Sequence, residues 1–470
     1  MNRIIKNIVP VCILIATILA CKLPISATPS PEDVENQAGT AVAATLTAMS
    51  PEPHGDVTLE PTREIEITST SLPAPTETPI PDVSVLRFAY TDRNWNLWTW
   101  QEGSSPNQII ASGDVDRVAL SSDGEWIAFS RVTADFLETS LWAIRFDGSE
   151  EHLLINHSDF MAMPLSSDIN SDWVVSRYPF MLTFIPSINT TLAFITVPQF
   201  EGPGFIDNKD LWLVDVETGM RNNLLTAGTG GHFYYSPNGS QIALVTGSDI
   251  SLVNSDGTNR RSSILIYEPV LTYSEYEYHA FPQWSPDGSF LRVAIPYSDS
   301  LGDPGMPGHL YQLPTDGSPA FFLGNVNFAP ITSGHYSPDL TQLAYVQKMG
   351  ALEDNNYALM TSNFDGTEPV EIVQADLSFA AWSPDSNQLA YNTWTPRSHF
   401  IAQSGVAGSG VLATTESDQF TWVSSDRFIY LSMASPNWEI RLGSIGAPST
   451  LIATLPDGDR FPSLVFNGLP

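Results

Sequence analysis

From residue 86 onward the chain alternates short apolar runs with tight polar breaks. The most regular break lies in FPQWSPDGSFL, residues 281–291, where Ser-Pro-Asp-Gly separates an aromatic residue from a hydrophobic run. The phrase returns as VALSSDGEWIAF at 118, YYSPNGSQIAL at 234, HYSPDLTQLAY at 335 and AWSPDSNQLAY at 381. Ser236, Ser285, Ser337 and Ser383 stand 49, 52 and 46 residues apart. The longer gap behind Ser121 holds a worn copy, FIPSINTTLAFI at 184–195, and WVSSDRFIYLS at 422–432 is another. A second mark follows each phrase, as in LWAIRFDGS at 141, LWLVDVETG at 211 and LYQLPTDGS at 310. It reads as an alternating strand closed by a Gly-containing turn.

The turn has a direct chemistry. Pro presets φ at the first corner, Asp bonds to the backbone, and Gly takes positive φ. A unit is therefore strand, Ser-Pro-Asp-Gly turn, strand, variable loop, strand, Asp-Gly turn, strand. A period of 40–50 residues in strand-like units marks a repeat architecture. Four antiparallel strands per unit make one blade of an all-β propeller. Units start near Leu86, Arg117, Met181, Gly231, Tyr278, Ser333, Phe379 and Phe420, which predicts eight blades, with seven as the alternative. The first unit, LRFAY at 86–90, has no turn-bearing strand before it, and RFPSLVF at 460–466 is a lone strand. The C-terminal strand is expected to sit innermost in the first blade and close the ring.

These phrases closely resemble the TolB-type, WD-like propeller repeat, which runs W-S-P-D-G-x-x-I-A-F and later L-W-x-x-D-x-D-G. The resemblance covers 86–470. Ser122 departs from it at Pro, Asn238 at Asp, and Leu340 and Ser386 at Gly. TolB carries a small α/β domain ahead of its propeller, and here a tether takes that place, so TolB's transport role is not carried over. Prolyl-oligopeptidase relatives join such a propeller to a hydrolase domain, and that activity is not expected here.

The opening segment is different material. MNRIIKNIVPVCILIATILAC places Arg3 and Lys6 before an apolar run from Ile8 to Ala20, the pattern of an export signal over 1–20. Its end, Ile18-Leu19-Ala20-Cys21, resembles the lipobox of bacterial lipoproteins. That family is cut before the Cys, whose sulfur carries a diacylglycerol, so Cys21 is the expected lipidation site. Residues 21–85 then read as a tether. Ser30-Pro31-Glu32-Asp33 starts a short helix over 31–49, and a Pro/Thr/Ser-rich spacer follows it. The expected location is the bacterial cell envelope, outside the cytoplasm, with a lipid anchor as the only membrane attachment.

Charge and cysteine content narrow the function classes. The net charge is −32, from 20 basic and 52 acidic residues, which argues against nucleic acid as a partner. Cys12 and Cys21 are the only cysteines, so the body of the chain has neither a disulfide framework nor a cysteine metal site. There is no G-x-S-x-G elbow, no H-E-x-x-H and no phosphate-cradling G-x-x-x-x-G-K. No catalytic residue is assigned and no cofactor is required, although acidic loop oxygens could bind Ca²⁺.

His232, His279 and His335 approach the inner strands, but at different offsets from the turn Ser, which places them at different depths and argues against a shared metal. The loops opposite the Gly turns are long and varied: 132–138, 156–178, 198–209, 267–277, 297–308 and 348–356. They carry acids together with Phe200, Tyr273, Tyr276 and Tyr278. Long loops on a rigid scaffold are where function concentrates. The expected ligand-binding residues are these four aromatics and the three histidines. The expected function is a binding or scaffolding module for an envelope or extracellular protein or glycan. The rival is an extracytoplasmic hydrolase or lyase on carbohydrate or peptide at the channel mouth, a use the fold permits without implying.

Overall fold

The computed structural model describes residues 85–201, 206–351, 354–434 and 437–466. The expected signal 1–20, Cys21, the helix 31–49 and the rest of the tether to residue 84 lie outside the described residues. Among the described residues no helix is long and apolar enough to cross a membrane.

Eight four-stranded antiparallel sheets follow one another along the chain, and each is a propeller blade. Eight, not seven, is the blade number. In blade 1 the strands Arg87–Thr91, Leu97–Gln101 and Asn107–Ile110 are joined by Leu464–Phe466, so the C-terminal strand closes the ring as expected. The register is Phe88↔Phe466, Ala89↔Val465 and Tyr90↔Leu464. Thr91 and Ser463 extend it, Thr91 N–H donating to the Ser463 carbonyl at 3.0 Å.

The repeated Ser is the hub of the inner turn in blades 2, 4, 5, 6 and 7. Ser285 is 2% exposed. Its hydroxyl donates to Asp287 Oδ1 at 2.7 Å and accepts from the Phe290 N–H at 3.1 Å. Its carbonyl accepts from Gly288 at 2.8 Å. Ser121, Ser236, Ser337 and Ser383 repeat the pattern. Where Gly is missing, Leu340 and Ser386 take its left-handed conformation at φ 60° and 62°. In the worn turn of blade 8, Ser424 keeps the bond to Asp426 at 2.7 Å.

Second strands such as Trp126–Val132 are buried on both faces, which explains their near-continuous apolar run. Outer strands such as Asn107–Ile110 are largely exposed. Among the described residues the buried apolar side chains gather in eight clusters, each shared by two neighbouring blades, including the pair formed by blades 8 and 1. The core therefore lies between neighbouring blades.

Two loop expectations need correction. Residues 156–178 are not all loop. They form a helix, His157–Ala162, capped by Asn156 Oδ1 accepting from the Asp159 N–H, then a 3₁₀ turn, Ser171–Trp173. From Val174 the chain is already the first strand of blade 3, Val174–Phe184, seven residues ahead of the expected start at Met181. Met181, at φ 55°, lies in a register shift of that strand, which interrupts the alternation that a sequence reading follows. Phe200, expected in a loop, ends the strand Thr191–Phe200 and pairs with Val174.

Candidate functional site: a histidine–aspartate cluster on the long-loop face

Chain direction reverses at every turn, so each blade puts its first–second and third–fourth strand turns on one face of the ring and its other two connections on the opposite face, where they range from the single residues Asp376 and Glu416 to the stretch 156–173. Arg87, where the chain enters the ring, contacts the Gly124 carbonyl and Glu125 in the first short turn, and so marks the turn face. The expected loops, in the corrected bounds, all belong to the opposite face.

Three side chains converge there. Asp207 comes from the loop between the second and third strands of blade 3, Thr191–Phe200 and Leu211–Asp215. His232 opens the inner strand of blade 4, His232–Tyr235. His279 lies just before the inner strand of blade 5, Gln283–Trp284. His232 Nε2 stands 3.0 Å and His279 Nε2 3.4 Å from Asp207 Oδ2. The imidazoles stack with centroids 3.8 Å apart and planes 10° from parallel. Glu277 Oε2 approaches His279 Nε2 at 3.5 Å.

The expectation of different depths fails for this pair, although the offsets differ. Residues 277–282 run outside the ladder, so position along the sequence does not measure depth there. They swing toward blade 4, where a Cβ on Gly247 would lie 2.2 Å from Glu277 Oε1. Any side chain at 247 would displace that carboxylate from its present place.

The loop holding Asp207 is pinned on its C-terminal side. Asn208 Nδ2 donates to the Pro164 carbonyl, Thr196 Oγ1 and Asp210 Oδ2, and Asn208 Oδ1 accepts from the Ser166 N–H. Asp210 also accepts from the Thr196 N–H and hydroxyl and from Trp212 Nε1. Burial raises the Asp210 carboxyl pKa, and those four donors do not offset it. Gly230 and Gly231 bring the start of blade 4 against this loop: a Cβ on Gly230 would meet the Asp210 carbonyl at 2.6 Å.

Asp207 itself is 5% exposed, and among the described residues neither of its buried oxygens has a donor in hydrogen-bond geometry. Burial draws its pKa upward, but His232, His279 and Lys209 outweigh that and hold it below the usual carboxylate value. Burial, and then His232, push His279 down to about 4 against the pull of Asp207, so it is neutral at pH 7. Along the inner strands a row continues from His232 to Phe180, 5.8 Å away, and on to Arg117, whose guanidinium lies 5.1 Å from the Phe180 ring.

The other expected residues lie elsewhere. His335 stacks on Phe379 at 4.7 Å and takes no part in the cluster; burial lowers its pKa to about 4. Tyr273 and Tyr276 are exposed, and the Tyr273 hydroxyl donates to Asp299 at 2.9 Å. Tyr278 is half-buried and packs on the core between blades 4 and 5. Two clefts open on the long-loop face. One, of about 550 Å³, spans blades 5 to 7 and is lined by Leu301, Pro330, Lys348, Tyr357, Asp376 and Trp394. The other, of about 630 Å³, lies at blade 2 and the loops flanking it, and includes Asp114, Arg131, Glu138, Trp142 and His157.

Sequence reading counts Asp207 among the acids of the long loops but does not single it out as a ligand-binding residue. The available signal was the polar run Asp207-Asn208-Lys209-Asp210 set directly before the LWLVD strand.

No protein-family profile matches the chain, and no curated protein sequence does. Among solved structures it is similar to the oligogalacturonate lyase of Vibrio parahaemolyticus, at 14% identity and TM-score 0.43, over 68% of this chain and 91% of that one. It is also similar to the β-propeller domain of the Trilobed protease of Pyrococcus furiosus, at 11% identity and TM-score 0.42, over 72% and 95%. TolB of Acinetobacter baumannii is a third, at 14% identity and TM-score 0.31, over 60% and 62%. The likeness is one of propeller fold and transfers no function.

Proposed function

We propose that this chain is an extracytoplasmic, lipid-anchored β-propeller that works as a binding or scaffolding module in the cell envelope, meeting a protein or glycan with its long-loop face. The observation that carries the reading is the asymmetry of the two faces. The turn face repeats one hydrogen-bonded device in five of the eight blades. The other face differs between blades and holds both clefts, the exposed rings of Tyr273, Tyr276 and Trp394, and the histidine–aspartate cluster. Aromatic side chains in concave, partly apolar surroundings are common anchors for a partner. Charge gives the partner a sign: residues 86–470 carry 42 acidic and 16 basic residues, a net of −26, which favours neutral or cationic surfaces. The export and lipobox signals at 1–21 support the location.

The test uses the full-length chain in detergent, presented to envelope extract and to a glycan array. Replacing Trp394 by Ala, or Tyr273 and Tyr276 together, should weaken the recovered interaction about tenfold or more. Replacing the exposed turn-face acids Asp256 and Asp316 by Asn should leave it unchanged. Loss of the partner in the turn-face variants, with binding kept in the loop-face variants, overturns the assignment.

A further inference from the structure

We propose that Asp207, His232 and His279 form a binding site for a divalent transition-metal ion, with Zn²⁺ the best match. One ligand atom from each lies within 4.8 Å of the others. Two Nε2 atoms at 3.0 and 3.4 Å from one carboxylate oxygen sit close to the ligand–ligand spacing of a tetrahedral zinc site, about 3.3 Å for bonds of about 2.0–2.1 Å. The two rings are 10° from parallel, so one swings to aim its lone pair at an ion held on Asp207.

The second observation is independent of spacing. Asp207 is 5% exposed, and among the described residues its oxygens meet no donor other than the His232 and His279 nitrogens, which are misaligned for a hydrogen bond. A buried carboxylate met only by misaligned imidazole nitrogens is a costly arrangement, and a cation between it and the two imidazoles offsets that cost. The neighbouring Asp210 is the contrast, since four donors satisfy it. The loop therefore commits one of its two acids to holding shape and leaves the other aimed at the histidines.

The donor set selects the class of metal. Two imidazole nitrogens suit Zn²⁺, Co²⁺, Ni²⁺ or Cu²⁺, whereas Ca²⁺ takes oxygen ligands. That separates this site from the Ca²⁺ suggested by the acidic loops. Glu277 Oε2, 3.5 Å from His279 Nε2, is placed to supply a fourth ligand or to yield that position to an incoming group. Glu277 is half exposed, so the fourth position opens toward solvent on the long-loop face.

The site is tested on the purified full-length chain, stripped with chelator and titrated calorimetrically with ZnCl₂, CoCl₂ and CaCl₂. One equivalent of Zn²⁺ should bind, Co²⁺ should give the intense visible bands of a tetrahedral site, and Zn²⁺ should raise the melting temperature. Asp207→Asn and His279→Gln should each weaken Zn²⁺ binding by more than about 100-fold, beyond the loss typical of an outer-shell partner. Absence of Zn²⁺ binding, undiminished binding in both variants, or tighter binding of Ca²⁺ than Zn²⁺ overturns the proposal. Should a variant fail to fold, the Co²⁺ spectrum of the unaltered chain decides: tetrahedral bands support the site, and octahedral or missing bands overturn it. None of these readouts depends on whether the long-loop face has a macromolecular partner.

Discussion

Replacing Ser285 by Ala tests the account of the repeated turn, because it removes one oxygen and little volume. That oxygen makes two bonds in a nearly water-free position: it donates to Asp287 at 2.7 Å and accepts from the Phe290 N–H at 3.1 Å. Losing the first removes a charge-assisted bond, worth about 1.5–3 kcal/mol. Losing the second strands a backbone donor, at a cost of about 1–3 kcal/mol. Asp287 keeps bonds from the Ser289 N–H and hydroxyl, so the first loss falls at the low end. The two losses share one atom and do not simply add, which leaves about 2–4 kcal/mol in all. Ser289→Ala is the control. Its hydroxyl bonds the same Asp287 oxygen at 2.7 Å but is exposed, so the expected loss is at most about 1 kcal/mol.

Urea unfolding followed by tryptophan fluorescence gives both values, compared at equal slope. A pH series adds a signed check. The Ser285 hydroxyl, then the Ser289 N–H and hydroxyl, hold the Asp287 carboxyl down to about 2. A depressed folded-state pKa contributes stability above the unfolded value of about 3.9 and loses it as pH falls toward the folded one. The gap between the unaltered chain and Ser285→Ala should therefore narrow from about pH 4 to about pH 2. Equal midpoints for Ser285→Ala and Ser289→Ala at neutral pH would refute the hub role of the buried hydroxyl.

Truncation after Gly458 removes Leu464–Phe466 and exposes the edge of Arg87–Thr91; it should destabilise the ring by about 3 kcal/mol or more, and an unchanged melting temperature counts against closure. Radiolabelled palmitate should enter the unaltered chain and not Cys21→Ser, and equal labelling of the two sinks the lipid-anchor reading.

The blades were legible because each inner turn needs the same few atoms. Ser, Asp or Asn and a left-handed residue recur between the first two strands of blades 2, 4, 5, 6 and 7, and even Leu340 and Ser386 kept enough neighbours to mark the spot. Ring closure was legible because an unpaired strand at each end of the repeat can only be partnered by the other. The edge of blade 3 was blurred because Met181 interrupts its alternation. His232 and His279 were legible as inner-strand histidines. Their meeting was not, because it depends on a segment outside the ladder and on room made by Gly247. Asp207 was hidden for a similar reason: its partners lie in two other blades, and no local motif encodes the path of a loop.

The entry point of the chain settles a matter of orientation. Arg87 joins the ring on the turn face, against Gly124 and Glu125, and the closing strand ends beside it with Phe466 opposite Phe88. Both ends of the propeller thus leave from the side that carries the short turns. The clefts and the Asp207–His232–His279 cluster lie on the opposite face. A facing surface could then reach them without meeting either end of the ring. The same arrangement lets a tag or a bead be attached at either end while the long-loop face stays clear.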